Sequence, residues 1–172
     1  MKKLIRITTV PISLEKLLEN QARFFKKHYS VTLVSAQKEQ LEALAKEQGV
    51  AYFPLEMTRK ITPLQDLRCL LQLVRFLRKE KPHIVHSHTP KAGIIGMLAA
   101  FIARVPVRMH TVAGLPLMEV KGIKKRILYA VERLTYRYAT HVYPNSKGLM
   151  DFIQEKHLAE KTPLQIIGKG SS

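Results

Sequence analysis

Tryptophan is absent from these 172 residues and cysteine occurs once, at Cys69. A single thiol excludes an internal disulfide framework and gives no sign of a zinc cluster. It fits a reducing compartment such as the cytoplasm. Long apolar runs are missing too. The most apolar window, Ala92 to Ala103, is about a dozen residues, where a membrane-spanning helix needs roughly 20. The opening Met1-Lys2-Lys3-Leu4-Ile5-Arg6-Ile7 is interrupted by Arg6 and no small-residue cleavage site follows it. It is therefore expected to form a buried strand and not a signal peptide. Acidic residues are scarce, 13 against 29 Lys and Arg, which leaves a net charge of +16. Such an excess favours anionic partners: nucleic acid, an acidic membrane surface or phosphorylated substrates. Solvated helix faces account for part of it.

Several signatures are also absent. No Gly-x-Gly-x-x-Gly follows the first apolar run, so the dinucleotide fingerprint is missing. Gly168-Lys169-Gly170-Ser171 lacks the spacing of a phosphate-binding loop, and no Gly-x-Ser-x-Gly elbow is present.

What is present is an alternation of short β-like runs with longer helical ones. Strands are predicted at Leu4–Thr8, Val31–Val34, Ala51–Phe53, His83–Ser87, Val107–Thr111, His141–Tyr143 and Leu164–Ile167. Between them, helices are predicted from Ser13, as N-cap, to about Lys27, at Gln37–Gln48 with Gly49 as the stop, and at Pro63–Lys79. Others follow at Lys91–Arg104, Gly122–Tyr138 and Ser146–Glu155. On Pro63–Lys79, Leu64, Leu67, Leu70, Leu71, Val74 and Leu77 make one stripe; on Gly122–Tyr138, Ile123, Ile127, Val131, Leu134 and Tyr138 make another. Strand–helix alternation implies right-handed crossovers and an α/β Rossmann-like parallel sheet sandwiched by helices. The 172 residues suit one domain. A glycine-rich run directly after a strand normally leads into more chain, so a second domain beyond Ser172 is expected.

In such sheets, ligands bind at the carboxyl ends of the strands. Four stretches are expected to converge there: Thr8-Thr9-Val10-Pro11, His86 to Gly93, His110 to Gly114, and Pro144-Asn145-Ser146. Residues two apart in a strand share a face, so His86 and His88 are expected to point the same way. Two histidines fall short of the three or four ligands zinc requires. One of them is expected to be buried and bonded, and His88 to reach a sugar hydroxyl or a phosphate. Lys91 and the free N–H groups of the helix it opens add a candidate anion site. His110, before a loop containing Gly114, is a candidate for orienting an acceptor hydroxyl or stabilising charge. His88, Lys91 and His110 are thus expected along one cationic edge. Lys121, Lys124, Lys125 and Arg126 make Gly122–Tyr138 a basic amphipathic helix, able to face an anionic membrane or simply solvent.

The segment Pro82-His83-Ile84-Val85-His86-Ser87-His88-Thr89-Pro90-Lys91-Ala92-Gly93 resembles one found in family 4 glycosyltransferases, of the bacterial capsular and exopolysaccharide type. Val107 to Leu115, Lys124 to Arg133, Ala139 to Ser146 and Ile5 to Leu14 resemble its other segments, in order. After His88 the chain carries Thr89, where relatives carry an acidic residue. The resemblance implies the N-terminal, acceptor-binding half of a two-domain (GT-B) enzyme. The other half would hold a nucleotide-diphosphate sugar and carry paired glutamates. It implies retaining sugar transfer without a metal or other cofactor. His110 is placed beside the transferred sugar as the catalytic-site residue, and the first-loop residues Val10, Pro11, Ile12 and Ser13 face the donor phosphates. The remaining candidate contacts are His86, His88, Lys91, Gly93, Thr111, Gly114, Asn145 and Ser146. It further implies a polyprenyl-diphosphate-linked or glycan acceptor on the inner face of the cytoplasmic membrane, and an isolated half without activity. Two other readings remain: a basic binding module for nucleic acid, although no nucleic-acid recognition motif is present, and half of a nucleotide-sugar epimerase.

Overall fold

The structure, a computed structural model, describes residues 1–167; the run 168–172 lies outside the described residues. Six strands form one parallel sheet: β1 (Lys2–Ile7), β2 (Tyr29–Ser35), β3 (Ala51–Pro54), β4 (Ile84–Ser87), β5 (Val107–Val112) and β6 (His141–Pro144). Their spatial order is β3-β2-β1-β4-β5-β6. The order reverses between β1 and β4, so the loops after those strands diverge and leave a crevice at their carboxyl ends. Seven helices cover the sheet: α1 (Pro11–Leu18), α2 (Gln21–Phe25), α3 (Lys38–Gln48), α4 (Pro63–Glu80), α5 (Pro90–Ile102), α6 (Gly122–Tyr138) and α7 (Lys147–Glu155).

Side-chain alternation divides the core in two. Leu4, Val31 and Leu33 pack under α1 and α3 through Leu14, Leu18, Leu41 and Leu44. Ile5, Ile7, Val34 and Val85 pack on the other face beneath Leu73, Leu77, Met97 and Ala100. Gly96 lets α5 sit low on the sheet, since a Cβ there would stand 3.2 Å from Ile7 Cδ1. Gly49 ends α3 at φ 66°, a left-handed conformation that glycine adopts without strain.

The predicted elements are present, with three corrections. The first helix does not run from Ser13 to Lys27. It begins at Pro11, with Val10 as the extended N-cap, and breaks at Glu19, where φ is +40°. The run Leu164–Ile167 is not a strand; Leu164 makes one isolated bridge to Val142. Two apolar stripes are rotated from their expected places. Both α4 and α6 pack against α5, and that contact selects an adjoining face of each. On α4 it buries Cys69, Leu73, Val74 and Leu77 and leaves Leu64 86% exposed, with Leu67 and Leu71 also outside. On α6 it buries Glu132, Thr135 and Tyr136 and leaves Ile123, Ile127 and Leu134 exposed. Thr135 is accommodated because its hydroxyl donates to Val131 O at 2.8 Å.

Candidate functional site

The register of β4 and β5 decides how the histidines are deployed. Ser87 lies beside His110 and His86 beside Met109, so His86 and His110 emerge on opposite faces of the sheet. On the face shared with Leu4, the guanidinium of Arg6 lies 3.3 Å from His86 Nδ1. It also donates to Gln21 Oε1 at 3.0 Å and sits over the Phe25 ring. Arginine only donates, so Nδ1 of His86 accepts. Its Nε2–H then donates to Thr111 Oγ1, 2.7 Å away. His88 lies against His86 with ring centres 4.0 Å apart and the planes tilted by 35°, on the same side as expected for residues two apart, and its buried Nε2 has no partner among the described residues.

On the opposite face, His110 Nδ1 shares a 2.8 Å hydrogen bond with the Ser87 hydroxyl. Its Nε2 has no protein partner among the described residues. The ring is wedged beneath α5 at Gly93, where a Cβ would stand 2.6 Å from His110 Cε1 and 3.1 Å from Thr135 Cγ2. Only glycine leaves room for the imidazole.

The two faces meet at the carboxyl edge in a cavity of about 410 Å³. His88 and Thr89 come from the end of β4, His110 and Thr111 from β5, and residues 113–116 from the following loop. Leu17 of α1, Glu119 and Glu132 complete the wall. The loop turns once as a 3-10 helix over Pro116–Met118 and is anchored by fully buried Leu117. The base is braced by Thr9, whose backbone N–H donates to Thr89 Oγ1 at 3.0 Å while the two hydroxyls meet at 2.7 Å.

The expected cationic edge is corrected by this geometry. His88 and His110 do reach one cavity, but Lys91 does not line it. Lys91 Nζ is 2.6 Å from Asp66 Oδ2 and also donates to Lys60 O, so its charge is spent tying α5 to the start of α4. The imidazoles carry no charge near pH 7 either. Burial holds His86 well below its ordinary value, with help from Arg6 and His110. Burial, His86 and Arg6 do the same to His88. Burial brings His110 down to about 4, against a hydrogen bond at Ser87 that opposes part of the fall. His110, only 2% exposed, is thus a neutral hydrogen-bonding group. Arg6 is also buried and falls to about 10 for the same reason, which leaves it charged.

The other expected contacts are distributed unevenly. Thr111 lines the cavity and braces His86. Gly114 lines it with open space where a Cβ would lie, so neither sterics nor backbone demands glycine there. Val10 and buried Pro11 open α1 at the neighbouring end of β1, outside the cavity wall. Ser146 accepts the N–H of Leu149 at 3.3 Å as the N-cap of α7, and the Asn145 N–H donates to Val112 O; neither lines the cavity. Lys121, Lys124 and Arg126 are exposed and Lys125 is half-buried on α6. Sequence reasoning placed Thr9 at this edge and missed Arg6, Ser87 as the partner of His110, and Glu132. Glu132 had a visible signal: it is the single carboxylate on a helix otherwise carrying only cationic charges.

Comparison with known proteins gives a consistent picture. The glycosyl transferase 4-like domain family matches residues 14–170. The capsular polysaccharide biosynthesis glycosyltransferase CapM of Staphylococcus aureus is 38% identical over 172 residues, 99% of this chain and 44% of CapM. An Escherichia coli protein, the UDP-Gal:alpha-D-GlcNAc-diphosphoundecaprenol alpha-1,3-galactosyltransferase, is 38% identical over 79 residues, 46% of this chain and 20% of that protein. The chain therefore spans less than half the length of these relatives. Among solved structures, Anabaena Alr3699/HepE in complex with UDP and glucose superposes with a TM-score of 0.72 at 17% identity, covering 98% of this chain and 45% of that one. The UDP-GlcNAc 2-epimerase of Methanocaldococcus jannaschii superposes at 0.67 and 17%, covering 98% and 46%. At these identities the structural likeness speaks for the fold alone.

Proposed function

The chain belongs to the glycosyl transferase 4-like family, and from that premise we propose that it is the acceptor-side half of a retaining glycosyltransferase. The enzyme would move a hexose from a nucleotide-diphosphate sugar to a lipid-linked or polysaccharide acceptor in cell-surface glycan synthesis. The observation that carries this reading is the carboxyl-edge cavity, where His88 and His110 are both neutral and both have a ring nitrogen without a protein partner among the described residues. Neutral imidazoles beside a loop wall suit hydroxyl recognition, since each nitrogen can accept or donate to a sugar. They do not suit the departing diphosphate, which needs positive charge. That task is assigned to a donor domain beyond this chain, and the isolated half is expected to be inactive.

Held by Ser87 and wedged under Gly93, His110 keeps one orientation, and a fixed donor or acceptor loses little on engaging the transferred sugar. The outer surface supports a peripheral place on an anionic membrane. Exposed Ile123 and Ile127 alternate with Lys124 and Arg126 on the first turns of α6, so apolar and cationic side chains reach the same surface. A lipid-diphosphate acceptor of the kind named for the E. coli relative would be presented there. An epimerase half shares the fold, but the 38% identity over 99% of the chain to a glycosyltransferase favours transfer.

The test is His110→Asn in the full-length protein. Asparagine can keep the Ser87 hydrogen bond while withdrawing Nε2; alanine would open a hole in the core. Transfer from UDP-hexose to an undecaprenyl-diphosphate-linked N-acetylhexosamine is expected to fall about 100-fold in kcat/KM, with the unfolding midpoint little changed. Unaltered kinetics would remove His110 from the site. Conversion of UDP-N-acetylglucosamine, supplied in a parallel assay, to its C2 epimer with no disaccharide formed would mark an epimerase.

A further inference from the structure

Glu132 has no structural employment. It lies in the middle of α6, is 4% exposed, and lines the same cavity as His110. Among the described residues its buried Oε2 has no hydrogen-bond partner, and neither has the hydroxyl of Tyr136 one turn later. The Tyr136 hydroxyl is close enough to influence the carboxyl, yet the two do not meet in regular hydrogen-bond geometry. No lysine or arginine pairs with Glu132 among the described residues. Burial pushes its carboxyl up to about 7. A lone buried carboxyl weakens a fold relative to an apolar residue of the same size. The buried Tyr136 hydroxyl does not satisfy it, so packing does not explain a glutamate here.

The position suits a ligand. Tyr136 places α6 against His110, with ring centres 6.0 Å apart, and Thr135 touches the same slot above Gly93. Glu132 therefore lines the same cavity as His110, whose Nε2 has no protein partner among the described residues, with Glu119 and Leu115 closing the loop side. A group that satisfies both side chains must donate a hydrogen bond to the carboxyl, donate to or accept from the imidazole, and carry no negative charge, which the ionised carboxyl would repel. Vicinal hydroxyls of a saccharide meet these conditions; a phosphate does not.

We propose that Glu132 is a saccharide-binding residue of this cavity, its carboxyl taking the hydrogen of a sugar hydroxyl next to the one held by His110. The proposal rests on the glycosyltransferase reading for the identity of the sugar, which comes either from the donor or from the acceptor.

The test compares Glu132→Met and Glu132→Gln with the parent full-length protein. Kinetics use UDP-hexose and undecaprenyl-diphosphate-linked N-acetylhexosamine; binding of free galactose and free N-acetylglucosamine is followed by saturation-transfer NMR. Removal of a purposeless buried carboxyl would leave binding and kinetics as they were, and that result overturns the proposal. The expected result is opposite in two readouts. The unfolding midpoint of Glu132→Met stays level or rises, while KM for one substrate rises at least tenfold. Glu132→Gln, which keeps one acceptor oxygen, recovers part of that loss. A rise confined to KM for the lipid-linked sugar assigns Glu132 to the acceptor, and a rise confined to UDP-hexose assigns it to the donor. Should the parent protein transfer neither sugar, the function reading fails first, and the NMR signals still decide: contact present in the parent and lost in Glu132→Met supports the proposal, and equal or absent signals in both overturn it.

Discussion

At the carboxyl edge of β4 and β5, polar side chains are buried, largely bonded to one another and uncharged at neutral pH; on the outer turns of α6 they are cationic, largely exposed and without acidic partners. Lys121, Lys124, Lys125 and Arg126 meet no carboxylate among the described residues. His86, His88 and His110, in contrast, are held neutral by burial. The net charge of +16 therefore describes the surface and says little about the cavity, whose only ordinarily anionic side chains are two glutamates. In the proposed function, one region would recognise by fixed hydrogen-bond geometry, which salt hardly affects. The other would act through a field that salt screens within about 10 Å.

Breaking the first region requires little. In Gly93→Ala, the new methyl would stand 2.6 Å from His110 Cε1, a contact that ring and helix cannot both keep. Overpacking of this kind costs about 3 kcal/mol, roughly a 10 °C fall in unfolding midpoint for a domain of this size. If the ring instead swings aside, the loss appears as transfer activity. Calorimetry together with steady-state kinetics covers both outcomes, and a variant normal in both would show that the slot is not tight.

Breaking the second region should leave the first untouched. Lys124→Gln, Lys125→Gln and Arg126→Gln together remove three charges, each worth up to about 1 kcal/mol at an anionic bilayer. Lys125 lies partly over the Tyr129 ring, 5.9 Å from its centre, so its contribution is smaller. Binding to vesicles rich in phosphatidylglycerol is expected to weaken roughly tenfold at low salt, with the unfolding midpoint unchanged. Equal vesicle binding would leave these residues as a solvated face.

The same contrast explains what could be read without coordinates. Strand and helix order was legible because apolar periodicity and stop signals such as Gly49 and Pro82 are local. The convergence of His88 and His110 followed from their positions at strand ends. Their neutrality did not, because it depends on burial, and for His88 also on His86 and on Arg6 brought in from β1. The fate of Lys91 depended on Asp66 from another helix. The stripes of α4 and α6 failed for a third reason. Each helix carries more apolar residues than one face needs, and the contact with α5 chose between adjoining faces. That choice buried Glu132, which periodicity alone places on no particular surface.

The finest test of the neutral cluster is its response to acid. The three histidines have folded values below their ordinary 6.5, so the unfolded chain binds more protons as pH falls from 6.5. The stability they contribute is full above that value and is lost toward about 4, where His110 charges in the folded state. Glu132 works in the opposite sense: raised from 4.5 to about 7, it favours the folded state below 4.5 and loses that effect as pH rises through 7. Between 4.5 and 6.5 the imidazoles outnumber the carboxyl, so stability is expected to fall with acid. Removing the carboxyl in Glu132→Met takes away the opposing proton. Urea unfolding across this window should then steepen by about 1 kcal/mol per pH unit. Parallel slopes in parent and variant would mean that Glu132 ionises in the folded chain as it does in water, and that the cavity is wetter than its burial implies.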